Sequence, residues 1–487
     1  MAVKPLMEKV DGIFIEGQEI EASETKSLYN PAKVDEQVGE ITVGDASHVK
    51  QAVEAAERSW KDWRNKPIED RARHLVEISD YIEANLNELC HLLVLEHGKT
   101  LEEAAIDLKA AVGTLRYYAG LTNVMDEKTV ENHQGTMVLT RHSLGVVSII
   151  VPWNFPIILA FLMLAPSLLA GNTVVIKPPS FVPLTLTKIL KHFARQLPEG
   201  VLNIVTGSGS TVGKEMVEHP KVRKVAFTGS TDTGRTIMAG ASKTIKKLSM
   251  ELGGNDAAIF LKDKPITEDL IQNAILSTFT ACGQICYSIK RIYVHRDNYE
   301  TFVKKYTEAA SKLVVGSGLD SKVDMGPINN KPQYESVQDL IERTKQTEAV
   351  IKEVGTFAEG VGKADGYFIL PTIVTNVNNS DPIVQEEQFG PVIPIMPFDS
   401  EEEVVELVND SEFGLANSVW TSDEDHGFEL GRKLESGSVF INTHRLGASA
   451  ANMPFGGFKQ SGIGRGHGVE AVHEHTELQA RILRKDM

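Results

Sequence analysis

From residue 145 the chain alternates short apolar runs with amphipathic stretches, and that rhythm admits few folds. VVIKP at 174–178, LNIVTG at 202–207, KVAFTGS at 224–230 and AAIFL at 257–261 read as buried strands. Between them lie a helix near 184–196, a short helix after Ser210 and a helix from Asp232. Strands that are apolar throughout are covered on both faces, and strands recurring with helices between them imply βαβ units. The expected fold is therefore α/β with a parallel sheet, whose ligands sit beyond the carboxyl ends of the strands.

The run between Arg141 and Lys177 contains no Asp, Glu, Lys or Arg and imitates a membrane span. A spanning helix needs about 20 continuous apolar residues. Here Pro152, Asn154, Pro156, Pro166, Gly171 and Asn172 interrupt the run. The reading that fits is a buried strand at 146–151, a loop, a buried helix at 157–169 and a second strand at 173–176. No membrane association is expected.

The region before 145 reads as helical. Asp45 and Ser47 offer caps for a helix carrying Val49, Val53, Ala56 and Trp60 on one side. A second helical segment runs over 68–95, ended by His97-Gly98, and a third fits 101–123. Beyond Asp263 the alternation resumes, with helices at 266–280 and 298–313 and a strand at 291–295. A looser stretch over 318–366 precedes strands at 371–375, 391–396 and 438–442. A second α/β domain is expected from about 255. The tail carries ELQARIL, which reads as a strand.

With 50 basic and 66 acidic residues, the net charge of −16 argues against a nucleic-acid partner. Cys90, Cys282 and Cys286 are too few for a disulfide scaffold. No signal peptide is visible at the N-terminus. A cytoplasmic enzyme is expected.

Three features invite chemistry. Gly229-Ser-Thr-Asp-Thr-Gly234-Arg235-Thr236 follows a strand and opens a helix, as a P-loop does, but Arg235 stands where that motif needs Lys. A nucleoside-triphosphate enzyme using Gly229–Thr236 is the alternative reading; what survives of it is a helix start able to hold a diphosphate. Cys286, in GQIC, is a nucleophile once deprotonated. Cys282 lies four residues earlier, a spacing that would put both thiols on one helical face, and no further Cys or His cluster completes a metal site. Glu251, in ELGG, is a carboxylate beside paired glycines, able to act as a base in a cleft. Each has an ordinary alternative: a plain turn, a core cysteine, a solvated glutamate.

Together, PWNFP (152–156), VIKP (175–178), FTGSTDTGR (227–235), ELGG (251–254), GQIC (283–286), EEQFGPV (386–392) and PFGGFKQSGIGR (454–465) resemble the aldehyde dehydrogenase superfamily in order and spacing. The resemblance implies oxidation of an aldehyde to the acid with NAD or NADP. It makes Cys286 the nucleophile, Asn154 an oxyanion donor together with the Cys286 N–H, and Glu251 the base that hydrolyses a thioester. Trp153, Lys177, Ser180, Gly229, Ser230, Gly234, Glu387 and Phe389 would form the cofactor site. It implies a Rossmann-type cofactor domain (1–124 and 144–254), a catalytic domain (255–458), and an oligomerisation flap and tail (125–143 and 459–487), in a homodimer or homotetramer.

The chain departs from the pattern in places. Ser180 stands where the family often carries a glutamate that repels a 2′-phosphate, so NADP should be tolerated. Asn255 and Met163 replace common lysines, which puts a lysine-dependent proton relay in doubt. Glu251, absent from the CoA-acylating branch, favours release of a free acid. Phe155, Leu159 and Leu162 would line a narrow channel for a short aldehyde. Arg445, with His444 beside it, would clamp an anionic or hydroxylated far end, as in a semialdehyde.

Overall fold

The computed structural model describes residues 8–447 and 450–485. Its first large sheet has eight strands, in the order Gly462–Ile463, Lys247–Glu251, Val222–Thr228, Val146–Ile150, Thr173–Lys177, Leu202–Val205, Ile13–Ile15 and Gln18–Glu19. The five strands from Lys247–Glu251 to Leu202–Val205 are parallel, and the outer partners pair antiparallel. Val146–Ile150 has Thr173–Lys177 on one side and Val222–Thr228 on the other. The chain thus winds outward in both directions from this strand, and the carboxyl end of that switch is where an α/β sheet opens a ligand crevice.

The second sheet has seven strands, in the order Val350–Glu353, Thr372–Thr375, Val392–Phe398, Ile289–His295, Asp256–Phe260, Ala416–Trp420 and Ser438–Ile441. Its core includes Phe260 stacked on Trp420, with ring centroids 5.1 Å apart. A three-stranded antiparallel flap joins Lys128–Asn132, Gly135–Ser143 and Thr476–Arg484. The outline is the expected doubly wound α/β architecture.

Several expectations change. The N-terminal region opens with strands, not helices: besides the two sheet-edge strands, Glu24–Asn30 and Lys33–Val43 pair antiparallel. The segment 68–95 is two helices, Ile68–Ala84 and Leu86–His97, broken at Asn85. The looser stretch contains a helix, Lys331–Thr344, capped by Asn330. The unit 459–487 does not all belong to the flap. Gly462–Ile463 pairs with Lys247–Glu251, because Gly462 approaches the Met250 carbonyl too closely for a side chain, and only Thr476–Arg484 enters the flap. Among the described residues no helix is long and apolar enough to cross a membrane. The helix Pro156–Leu169 is instead enclosed by the first domain's core.

Candidate active site

Asn154 lies in the loop that follows Val146–Ile150, Glu251 ends Lys247–Glu251, and Cys286 precedes Ile289–His295. All three line one cavity of about 390 Å³. Phe155, Leu159 and Leu162 line it too, with Ile106, Met163, Tyr287, Leu446 and Phe455. The walls are mainly apolar.

The cysteine loop is tightly specified. Ala281 and Cys282 both hold positive φ, at 52° and 58°, a conformation that costs of order 1–3 kcal/mol per residue and persists where the surroundings enforce it. Gly283, at φ 73°, passes so close to the Gly390 carbonyl that a Cβ would lie 2.4 Å away. Lys290 Nζ donates to the carbonyls of Ile285 at 2.6 Å and Cys286 at 2.8 Å. The two thiols therefore do not share a helical face. The backbone turns sharply between them, and Cys282 is buried in the second core while Cys286 faces the cavity.

Burial pushes the Cys286 thiol up to about 12, opposed by the Lys290 ammonium. Burial also raises Glu251 to about 8, opposed by Arg465 and a Gly466 N–H. One Glu251 carboxylate oxygen, Oε2, is buried without a hydrogen-bond partner among the described residues. Asn154 Nδ2 donates to the Gln284 carbonyl at 3.0 Å, tying the two loops together. A side-chain amide carries two N–H groups, so one remains for a ligand.

Sequence reasoning missed a buried network behind this loop. Lys99 Nζ donates to Asp107 at 3.3 Å and to the Asn154 carbonyl at 2.9 Å, and lies 3.7 Å from the Phe155 ring centroid. Asp107 accepts from the Ile158 N–H at 2.8 Å. Glu103 accepts from the Ala281 N–H at 2.6 Å. Three ionisable groups thus hold the backbone on both sides of the cavity. The available signal was Glu103 and Asp107 falling on the same helical side as Ala104, Leu108 and Ala111, where only apolar residues are expected.

Along the crevice, Lys177 is buried and donates to the Pro178 carbonyl at 3.1 Å and Ser180 Oγ at 3.3 Å. Burial lowers it to about 8. Ser230 caps the helix Thr231–Ala241 by accepting from the Thr233 N–H, with Gly229 before the cap and Gly234 in the first turn. Glu387 accepts from the Gly254 N–H at 3.1 Å, and burial raises it to about 7. Phe389 packs edge-on to Trp153, with centroids 5.4 Å apart. A buried lysine with no carboxylate partner among the described residues, a capped helix start and the Trp153–Phe389 aromatic corner fit a dinucleotide. Arg235 is instead engaged by Asp232 at 2.5 Å and by Gln460, on the exposed side of its helix, so it does not serve as a P-loop cation.

Two residues are not where the substrate clamp requires them. His444 is buried away from the cavity, with Nδ1 2.8 Å from Ser418 Oγ and Nε2 3.6 Å from Asp256. Arg445 is exposed and outside the cavity lining; the next residues, Leu446 and Gly447, face the cavity. Packing of His444 against the second sheet turns the arginine outward. The polar side chains that do line the cavity include Thr228, Ser249, Arg465 and His467.

Cys286 and Glu251 thus line one cavity, and the carboxyl rim of the first large sheet is shaped to hold a dinucleotide. The model of the aldehyde dehydrogenase family matches residues 19–480, and the chain belongs to that family. It is 37% identical to phenylacetaldehyde dehydrogenase of Pseudomonas fluorescens, over 97% of this chain and 95% of that one. Its structure is similar to that of a Bacillus cereus aldehyde dehydrogenase in complex with NAD+, with a TM-score of 0.93, 35% identity, and coverage of 99% of this chain and 98% of that one. It is also similar to an E. coli NADP-dependent enzyme, with a TM-score of 0.92, 33% identity and 98% of both chains covered. The protein is an oxidoreductase acting on aldehydes with NAD or NADP.

Proposed function

We propose that Cys286, Glu251 and Asn154 oxidise an apolar aldehyde to its carboxylic acid. The observation that carries this reading is that the three side chains converge on one mainly apolar cavity. Burial favours the neutral Cys286 thiol and the Lys290 ammonium opposes it; the thiol gives up its proton to solvent as its sulfur reacts, and Glu251 is kept for the later step. The sulfur adds to the carbonyl carbon and forms a thiohemiacetal. The second Asn154 N–H and the Cys286 N–H stabilise its oxyanion; losing one such donor costs on the order of 10²–10³ in rate. NAD or NADP held in the crevice would supply the hydride acceptor, and loss of hydride from the thiohemiacetal would leave a thioester on Cys286. Glu251 then takes a proton from water, which attacks the thioester and releases the acid.

Lys177, Ser180, Gly229, Ser230 and Gly234 would hold the adenosine and diphosphate part of the cofactor. Trp153, Glu387 and Phe389 would hold the nicotinamide part. This divides the chain into the cofactor and catalytic domains expected from its motifs. Phenylacetaldehyde, after which the Pseudomonas relative is named, agrees with the apolar walls here. The Arg445 clamp, and with it an anionic substrate, has no such support.

We also infer that copies of the chain associate through the flap, as a homodimer or homotetramer. Leu478, Ile482 and Leu483 are exposed on its edge strand, Thr476–Arg484, and such a row favours burial against another copy. A cytoplasmic location remains the reading from the three free cysteines.

The test is a pair of variants. Cys286→Ala abolishes aldehyde oxidation and keeps cofactor binding, whereas Cys282→Ala keeps most of the activity. The reverse pattern moves the nucleophile to Cys282.

A further inference from the structure

Asp256 opens the strand Asp256–Phe260, shortly after Glu251, and His444 follows the strand Ser438–Ile441. Between these strands in the second sheet lies Ala416–Trp420. At Asn442 the backbone takes φ 57°, and the Asn442 side chain accepts from the Thr421 N–H at 3.0 Å, which folds the chain back over the sheet. His444 there packs on Phe440, with ring centroids 5.5 Å apart, and its Nδ1 lies 2.8 Å from Ser418 Oγ. Its Nε2 lies 3.6 Å from the Asp256 carboxylate, whose Oδ1 accepts from the Ala416 N–H at 3.0 Å. Ser418, His444 and Asp256 are all buried, and among the described residues His444 Nε2 and Asp256 Oδ2 have no hydrogen-bond partner.

A proton belongs on His444 Nε2, because a bare nitrogen lone pair facing a buried carboxylate would be repelled. Ser418 Oγ already accepts from Trp420 Nε1 at 2.9 Å, so its own O–H can donate to His444 Nδ1. Trp420, Ser418, His444 and Asp256 thus form a run of donors that ends on a carboxylate. Serine, histidine and carboxylate in line suggest a hydrolytic triad, but Ser418 lies outside the cavity lining and Trp420 holds its oxygen. The pair has another use, visible two residues further along. Leu446 and Gly447 line the cavity. The Gly447 N–H faces the Tyr287 hydroxyl, and the Tyr287 ring meets Phe455 edge-on at 5.5 Å. Leu446 packs with Phe155 and Ile285. His444 therefore anchors, from inside the second sheet, the loop that roofs the space beside Cys286.

We propose that His444 and Asp256 are positioning residues: their buried pair pins the loop Asn442–Gly447 so that Leu446 and Gly447 cover the far end of an apolar aldehyde bound at Cys286. The inference rests on the cavity being the aldehyde site, as proposed above. Neither residue touches the substrate. A long aldehyde is held by the cover, whereas a two-carbon aldehyde is too short to reach it. Asp256 joins the loop to the segment that follows Glu251, so the roof and the base are set by one stretch of chain.

Steady-state kinetics with an arylacetaldehyde and with acetaldehyde, together with thermal melts, test the pair. His444→Phe fills the space without a donor. It raises KM for the arylacetaldehyde about tenfold or more, and changes kcat, the cofactor KM and the acetaldehyde KM by less than about threefold. Asp256→Asn, which removes only the charge, raises the arylacetaldehyde KM about threefold or more with the same selectivity. His444→Gln places an N–H where Nε2 stands and keeps that KM within about threefold of the parent. The double variant His444→Phe/Asp256→Asn, which leaves no stranded charge, recovers Tm but not KM. Equal losses on both aldehydes, or recovery of KM together with Tm, overturn the proposal and make the pair a packing element. If His444→Phe does not fold, Asp256→Asn decides, and a parent-like arylacetaldehyde KM there overturns the pair. Activity retained by Cys286→Ala, run alongside, overturns the cavity assignment itself.

Discussion

The Lys99 ammonium holds the backbone carbonyl of Asn154 at 2.9 Å, from a position fully enclosed by protein. The residue proposed as oxyanion donor is thus fixed from behind by an ammonium group outside the cavity lining. Removing one member of a buried pair leaves the other uncompensated, at about 3–5 kcal/mol, whereas removing both can be neutral. Lys99→Met should lower Tm and reduce kcat about ten- to a hundredfold. The double variant Lys99→Met/Asp107→Leu should recover Tm but not kcat, with cofactor affinity unchanged. Recovery of kcat together with Tm would make the network purely structural.

Glu251 must be a carboxylate to act as a base, and its burial holds it at about 8. Steady-state kcat should therefore rise with pH and level off above about 8. Stability runs the opposite way. A carboxyl whose folded value lies above its unfolded one contributes stability that is complete below about 4.5 and lost as pH rises through the folded value. Glu251→Gln should accordingly raise Tm relative to the parent at pH 9 and leave it unchanged at pH 5, read by thermal melts at both. A pH-independent difference would place Glu251 in a wetter site.

The cavity walls predict selection by apolar surface. Phe455→Ala should lower kcat/KM for an arylacetaldehyde about tenfold or more, from lost contact with the ring. Arg445→Ala should change kcat/KM less than threefold for neutral and anionic aldehydes alike, because the arginine is exposed. A selective loss on a semialdehyde would restore the arginine as a clamp.

Gly254 approaches the Cys286 carbonyl so closely that a Cβ would stand 2.5 Å from it. Gly254→Ala should push the cysteine loop aside and lower the single-turnover rate at least tenfold, measured in the stopped flow. A parent-like rate would show that the loop has room to yield.

The sheet around 145–261 was legible because buried parallel strands read as unbroken apolar runs, and the motifs fall at strand ends. The strands before residue 45 were not legible: ETKSLYN, at 24–30, is mostly polar and carries no apolar alternation. Asn85 was hidden within a continuous apolar periodicity, although it breaks the helix. Cys286, Glu251 and Asn154 were named from their motifs, and the structure brings them to one cavity. Lys99, Glu103 and Asp107 were not, since isolated charges on a helix ordinarily face water and only the packing of that helix on Pro156–Leu169 encloses them. The misreading of Arg445 has a similar origin: spacing along a loop does not say which way successive side chains turn.

The central claim is that the aldehyde carbon becomes bonded to Cys286 and that Glu251 is needed to release it. Intact mass spectrometry of Glu251→Gln, mixed with cofactor and an arylacetaldehyde, tests both at once. One burst of reduced cofactor per site is expected, followed by a protein heavier by one acyl group, mapped by peptide digestion to Cys286. An unmodified protein with no burst would place Glu251 before the hydride step, and an acyl group on any other residue would contradict the account outright.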